Sequence, residues 1–154
     1  MFHIVLYQPE IPGNTGNSIR LAANTGARLH LIHPLGFEMD SSRLKRAGLD
    51  YHQLAHVQEH ADLDAFLATV VPDRVWVFTS HAQRRYTDAT FTEGDALLFG
   101  PETRAVPPEV RDRWPATQHL RLPMVPGNRS INLSNSVAIG LFEAWRQLEF
   151  AGGE

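Results

Sequence analysis

Residues 122–136 read LPMVPGNRSINLSNS, and no other segment of the chain carries more structural information. Pro123 and Pro126 restrict the backbone before the helix begins, and Gly127 permits a turn that other residues resist. Small polar side chains then crowd the start of an apolar-periodic helix, where one N-cap residue would be enough. They are Ser130, Asn132, Ser134, Asn135 and Ser136. This density favours a surface that binds a polar ligand, and an elaborate helix cap is the alternative.

The composition predicts one globular domain over residues 1–154. The chain has 43% hydrophobic and 20% charged residues, which is ordinary for a soluble protein, and it is long enough for a sizeable core. It contains no cysteine, which excludes disulfides, thiolate catalysis and cysteine-ligated metals. No signal peptide and no membrane-spanning apolar run is evident, so we expect a cytoplasmic protein without a membrane partner.

The basic residues are unevenly distributed, although a net charge of −3 does not by itself indicate a nucleic-acid partner. Arginine supplies every basic residue except Lys45, and its planar fork suits phosphate. We therefore consider Arg43, Lys45, Arg46 and Arg129 as phosphate contacts, with solvated surface charge as the alternative. The eight histidines are dispersed, and His52 and His56, four apart, fall on a predicted strand, so we expect no metal site.

Apolar runs that alternate with helical patterns predict an α/β domain with a largely parallel sheet. The predicted strands are 3–7, 29–32, 52–57, 75–79, 96–99 and 118–122. The predicted helices are 14–25, 61–70, 107–113 and 132–150, with a short basic helix capped by Ser41 or Ser42. Such a sheet places ligand sites beyond the carboxyl ends of its strands. The loops that fit this position are 9–18, 100–104 and 123–134.

The segment NTGNSIR at residues 14–20 follows a strand and opens a helix, as phosphate-binding elements do. It is neither GxGxxG nor a P-loop, so the signal is weak. Asn14 and Arg20 can serve one site if Asn14 lies in the turn. The alternative is that Asn14 caps the helix and Arg20 is an ordinary surface residue.

The segment LLFGPETR at residues 97–104 ends a buried strand with a glycine, a proline and a carboxylate. Gly100 lets a ligand approach the backbone, because it has no side chain. Glu102 either faces a cationic ligand or holds a neighbouring loop. A plain turn at the end of the strand is the alternative.

Taken in order, these segments resemble the SPOUT superfamily of RNA methyltransferases. The likeness is strongest to its small, single-domain members, which methylate the ribose 2′-oxygen of the tRNA wobble nucleotide. It covers nearly the whole chain, and only the flexible Gly127–Asn128 pair departs from the pattern. The segments that carry it are PEIP at 9–12, NTGN at 14–17, RAGLDYH at 46–52, FGPETR at 99–104, NLSNS at 132–136 and EAWRQ at 143–147.

The resemblance implies a fold and a site that composition and periodicity do not reveal. It implies a C-terminal deep trefoil knot, a homodimer with the knotted region near the interface, and S-adenosylmethionine as cofactor. The implied cofactor-binding residues are Phe78, Gly100, Leu122 and Ser130. The implied catalytic residues are Arg20 at the centre, with Asn14, Glu102, Ser130 and Asn132 organising the site.

The predicted function is S-adenosylmethionine-dependent 2′-O-methylation of the wobble ribose, on cytidine or modified uridine, in tRNA anticodon loops. Because a guanidinium stays protonated in proteins, we expect Arg20 to bind a phosphate or ribose oxygen and not to act as a base. The alternatives are methylation of another tRNA position or of ribosomal RNA, and a non-enzymatic RNA-binding relative. A Rossmann-type nucleotide enzyme is less favoured because GxGxxG is missing.

Overall fold

A computed structural model describes the backbone of all 154 residues and every side chain except that of Ser41. The strands are β1 (His3–Tyr7), β2 (Arg28–Ile32), β3 (Val57–His60), β4 (Val75–Phe78), β5 (Arg84–Arg85), β6 (Ala96–Phe99) and β7 (His119–Arg121). The helices are α1 (Pro12–Thr25), α2 (Ser41–Arg46), α3 (Tyr51–Leu54), α4 (Leu63–Val70), α5 (Pro108–Arg111) and α6 (Leu133–Gln147). Two single 3₁₀ turns lie at Tyr86–Asp88 and Ala116–Gln118.

The strands form one parallel sheet in the order β3-β2-β1-β6-β4-β7-β5. Side chains alternate between two cores, so Ile4 and Leu6 face one side of the sheet and Val5 the other. Helices α1 and α6 cover the first side, and α4 and α5 cover the second. Because both faces are covered, the central strands are apolar throughout. The predicted α/β fold, a largely parallel sheet flanked by helices, is confirmed.

Local hydrogen bonds explain where the predicted elements were wrong. Residues 51–54 form α3 and not a strand, because the side chains of Asp50 and Gln53 each accept the other's backbone N–H in a capping box. The cap of α2 is Asp40, whose carboxylate accepts the Ser42 N–H at 2.9 Å, and not Ser41 or Ser42. Helix α6 ends at Gln147, before two residues with left-handed backbone, Glu149 and Phe150.

Two buried histidines, His30 and His60, and the half-buried His3 form a hydrogen-bonded chain across β1, β2 and β3. His3 Nδ1 lies 2.9 Å from His30 Nε2, and His30 Nδ1 lies 2.9 Å from His60 Nε2. The ring of Phe66 from α4 packs against both His30 and His60. His30 is only 3% exposed, and burial, reinforced by the neighbouring His3, His60 and Arg28, lowers its pKa to about 3. Burial also lowers the pKa values of His3 and His60.

We expect acid to destabilise the fold through this chain. The unfolded protein binds a proton on His30 near its ordinary pKa of 6.5, whereas the folded protein does so only near 3, so stability is lost as the pH falls between these values. The free energy of unfolding, measured by denaturant titration across this range, should therefore fall more steeply with acid in the parent protein than in His30→Gln. His52→Gln, at an exposed histidine of α3, should run parallel to the parent. Parallel curves for His30→Gln would contradict the expectation.

Candidate active site

A cleft of about 360 Å³ opens where the carboxyl ends of β4, β6 and β7 meet the segment that enters α6. This is the edge at which parallel sheets bind ligands. All four residues expected to contact a cofactor line it, although they come from four separate segments of the chain. They are Phe78, Gly100, Leu122 and Ser130. The structure therefore brings these residues together, and their role as cofactor contacts stays a prediction.

The floor of the cleft is aromatic and rigidly packed. The rings of Phe78 and Phe99 stack with their centroids 4.6 Å apart. Gly140 of α6 lies against them, because a Cβ there would come within 2.9 Å of the Phe78 ring. Hydroxyl-bearing residues such as Thr79 and Ser136 stand around this apolar floor. An apolar aromatic floor with polar side chains around it suits a flat heteroaromatic ligand that also carries polar groups.

Gly100 is required by the chain itself. A Cβ at this position would lie 2.6 Å from the backbone nitrogen of Val106, because the loop after β6 folds back over the end of its own strand. The sequence suggested that the missing side chain makes room for a ligand. The structure shows that the Cβ direction is occupied by residues 105–106, which form one wall of the cleft.

Glu10 and Glu102 join the loops that follow β1 and β6. Glu102 Oε2 accepts the backbone N–H groups of Glu10 at 2.6 Å and Ile11 at 3.0 Å. Glu10 Oε1 in turn accepts the hydroxyl of Thr103 at 2.7 Å and its N–H at 3.0 Å, and these hydrogen bonds lower the pKa of Glu10. We call this arrangement the Glu10–Glu102 pair. Of the two roles expected for Glu102, the structure supports holding a neighbouring loop.

The second carboxylate oxygen of Glu102, Oε1, is consistent with the other expected role, which is to face a cationic ligand. Oε1 is buried and has no hydrogen-bond partner among the described residues, and Glu102 lines the cleft. A buried carboxylate oxygen without a partner is costly, and a cationic or hydrogen-bond-donating ligand would relieve the cost.

Asn14 and Asn132 connect the starts of α1 and α6. The Asn132 amide donates to Asn14 Oδ1 at 3.1 Å, and Asn132 Oδ1 accepts from the Ser134 hydroxyl at 2.7 Å and from the Asn135 N–H at 3.2 Å. Asn132 is thus the N-cap of α6 as well as part of the site. Asn14 is neither the cap of α1 nor in a turn, because α1 begins two residues earlier at Pro12. Its buried side chain points instead to α6.

Arg20 does not line the cleft. It lies further along α1, is exposed, and donates from Nη2 to the carbonyl of Gly48 at 3.4 Å. It lines a second pocket of about 260 Å³, which also contains Asn17. The Asn17 amide lies 3.4 Å from the Ser134 hydroxyl, so this residue connects the second pocket to the start of α6. The structure therefore separates Arg20 from Glu102 and Ser130, with the Asn14–Asn132 contact between them.

The partners that sequence reasoning missed are Glu10, Thr103 and Asn17. Each lies inside a segment that was quoted or next to one, but hydrogen bonds across 90 or more residues leave no trace in local spacing.

The basic residues of α2 are exposed, as a phosphate-binding role needs. Arg84, by contrast, donates to the carbonyls of Thr117 and Asp88 and so has a structural role.

The described part of the chain has neither a membrane-spanning helix nor a cluster of metal-binding side chains. No helix there is both long and apolar enough to cross a membrane. No group of three or more histidine, aspartate or glutamate side chains is arranged there to hold a metal ion. The rings of His52 and His56, which belong to α3 and the turn after it, lie edge to face at 5.9 Å.

The fold and the cleft together define a parallel α/β protein with a cleft at the carboxyl ends of its central strands, where such sheets place their ligand sites. The model of the SpoU rRNA Methylase family matches residues 1–142. The chain belongs to this family, which confirms the resemblance to SPOUT methyltransferases seen in the sequence.

Similar proteins of known description cover the chain from end to end. A tRNA (cytidine(34)-2′-O)-methyltransferase of Burkholderia ambifaria is 56% identical, over 99% of each chain. The protein of the same description from Escherichia coli K12 is 52% identical, over 99% of this chain and 97% of its own. A solved structure, described as giving insights into the 2-OH methylation of C/U34 on tRNA, is 48% identical with a TM-score of 0.86. The match covers 97% of this chain and 91% of that one.

The packing around Gly100 predicts the effect of one methyl group. Gly100→Ala should lower the free energy of unfolding by about 1–3 kcal/mol, because the added Cβ meets backbone and the 105–106 loop must move. Gly13→Ala is the matched control, since nothing lies within 4 Å of its Cβ position in α1 and alanine favours a helix. Denaturant titration of both variants checks this, and equal effects would contradict it.

Proposed function

We propose that this protein is an S-adenosylmethionine-dependent methyltransferase that modifies the ribose 2′-oxygen of the wobble nucleotide in tRNA. The observation that carries the proposal is the convergence of Phe78, Gly100, Leu122 and Ser130 on one cleft in a chain of this family. The names of the full-length relatives supply the reaction and the position. Cytidine and uridine are both candidate wobble nucleotides.

The residues around the cleft fit the proposed cofactor. Once bound, S-adenosylmethionine supplies a methyl group on a positively charged sulfonium. Phe78 and Leu122 offer apolar surface to its adenine, and backbone groups next to Gly100 can pair with the adenine edge. The free Oε1 of Glu102 is the buried negative atom that a cationic ligand would neutralise.

Arg20 and the two asparagines have separate roles in the proposed mechanism. A ribose hydroxyl is a poor nucleophile until its proton leaves. Arg20 cannot take that proton because its guanidinium stays charged, but it can bind the sugar or its phosphate and stabilise the developing alkoxide. Asn14 and Asn132 fix α1 against α6, so that the group held by Arg20 is aligned with the cleft.

A single-stranded anticodon loop is the RNA that this surface suits. Its bases are unstacked and its 2′-hydroxyls are accessible. Arg43, Lys45 and Arg46 of α2, together with Arg129, are exposed and free to contact phosphates. Binding should weaken as salt rises, because phosphate contacts release counterions. A tRNA substrate also implies a cytoplasmic protein.

The homodimer and the trefoil knot belong to the same proposal. Ile139 and Phe142 lie three residues apart on α6 and are 37% and 43% exposed, so they form a small apolar patch on one helix face. A second copy of the chain would cover them. The knot would be formed by residues 122–136 and α6, and it is supported by membership of the family.

The reaction can be tested directly. The purified protein, incubated with total tRNA and labelled S-adenosylmethionine, should place one methyl group on the ribose of nucleotide 34, located by mass spectrometry of nuclease fragments. Ribosomal RNA from the same cells is the control substrate, because the family description names rRNA. Methylation of ribosomal RNA alone, or of another tRNA position, would overturn the proposal.

Arg20→Ala should lower kcat by about 100-fold to 1,000-fold, as losing a donor to a developing oxyanion does. Cofactor affinity, measured by calorimetry, should not change, because Arg20 lies outside the cleft. Arg20→Lys should restore part of kcat without a new ionisation in the pH–rate profile. Full recovery with a lowered kinetic pKa would instead favour a base at this position. Arg113→Ala, at an arginine paired with Asp64 on the opposite side of the sheet, is the control.

A further inference from the structure

The second pocket lies between α1 and the segment 37–49, and it differs from the cleft in shape and lining. We call it the α1–α2 pocket. Its walls include the side chains of Phe37, Met39 and Leu44, which are half-buried. Three charged residues, Arg20, Glu38 and Arg43, also line this pocket. An apolar chamber with a few charged groups is the usual form of a small-molecule site.

Thr15 indicates that this pocket receives a polar ligand. Its side chain is 1% exposed and lines the pocket, and its hydroxyl has no hydrogen-bond partner among the described residues. Buried hydroxyls are almost always paired, since leaving one unpaired costs free energy. A ligand atom that accepts from this hydroxyl, or donates to it, would complete the site.

The chemistry of the lining fits a nucleobase with its sugar and phosphate. Phe37 offers an aromatic face on which a base can stack, and Thr15 and Glu38 offer hydrogen bonds to its edge. Arg20 and Arg43 supply positive charge for the backbone of the same nucleotide. An apolar ligand would leave the Thr15 hydroxyl without a partner and would use neither the Glu38 carboxylate nor the positive charge of the two arginines.

We propose that the α1–α2 pocket holds the base of the nucleotide that is methylated, and that Glu38 makes it prefer cytosine to uracil. This rests on the proposed function, in which Arg20 binds the sugar or phosphate of that nucleotide. Cytosine presents an N4 amino group that donates to a carboxylate, whereas uracil presents the O4 acceptor, which a carboxylate repels. Glu38 is thus a specificity-determining residue.

The preference can be measured on two anticodon stem-loop RNAs that differ only in cytidine or uridine at the wobble position. In the parent enzyme kcat/KM should favour the cytidine RNA. Glu38→Gln should reduce the ratio about tenfold, because an amide can donate to O4 as well as accept from N4. Glu109→Gln, the same change at an exposed glutamate of α5, should leave the ratio unaltered. An unchanged ratio in Glu38→Gln would overturn the proposal.

A binding experiment separates this inference from the proposed function. Cytidine 5′-monophosphate, titrated into the protein and followed by NMR, should shift signals of residues 37–49, and Thr15→Val should weaken its affinity about fivefold to tenfold. The free energy of unfolding of Thr15→Val should equal or exceed that of the parent, because the hydroxyl that is removed has no partner among the described residues. A lower value would show that the hydroxyl has a structural role in the free protein. Equal affinity of the parent and of Thr15→Val for cytidine 5′-monophosphate would overturn the proposal that the α1–α2 pocket binds the base. If the parent methylates neither RNA, the proposed function fails and this titration still decides the pocket.

Discussion

The Glu10–Glu102 pair is the interaction on which the active-site edge of this protein depends. Strands β1 and β6 are neighbours at the centre of the sheet, so the loops that leave them must diverge or be held together. Each glutamate accepts backbone N–H groups from the other's loop, which satisfies polar groups that a strand end leaves unpaired. The loop after β6, fixed in this way, forms one wall of the cleft.

Helix α1 lies between the two cavities, the cleft and the α1–α2 pocket. Its first turns contact α6 through Asn14 and Asn17, close to the cleft, and its exposed side carries Arg20 into the α1–α2 pocket. In the proposed function the cofactor occupies the cleft and the RNA nucleotide the α1–α2 pocket, so the two molecules approach the reacting atoms from different sides. In the proposed mechanism the packing of α1 against α6 sets the distance between the cofactor and the nucleotide.

Some elements of this fold are encoded in short local patterns, and others depend on contacts between distant residues. The strands at 3–7 and 96–99 were predicted to the residue, since buried parallel strands read as short apolar runs. Helix α3 was mistaken for a strand because its capping box involves only four residues and its composition resembles a strand. The sequence did not reveal the histidine chain, because its members are 27 and 30 positions apart. Only the pairing of the strands brings them together, diagonally, since His30 is paired with Val5 and Gln58.

The sequence by itself determined the α/β class and the order of most elements, through periodicity and through proline and glycine punctuation. Its motifs indicated the family, and the resemblance to that family implied the four residues that the structure brings to the cleft. Tertiary structure alone decided that Gly100 makes room for its own loop, that Glu102 holds residues 10–11, and that Arg20 belongs to a separate pocket. The reason is physical: these features depend on which side chains meet across the sheet edge, and spacing along the chain does not encode that distance.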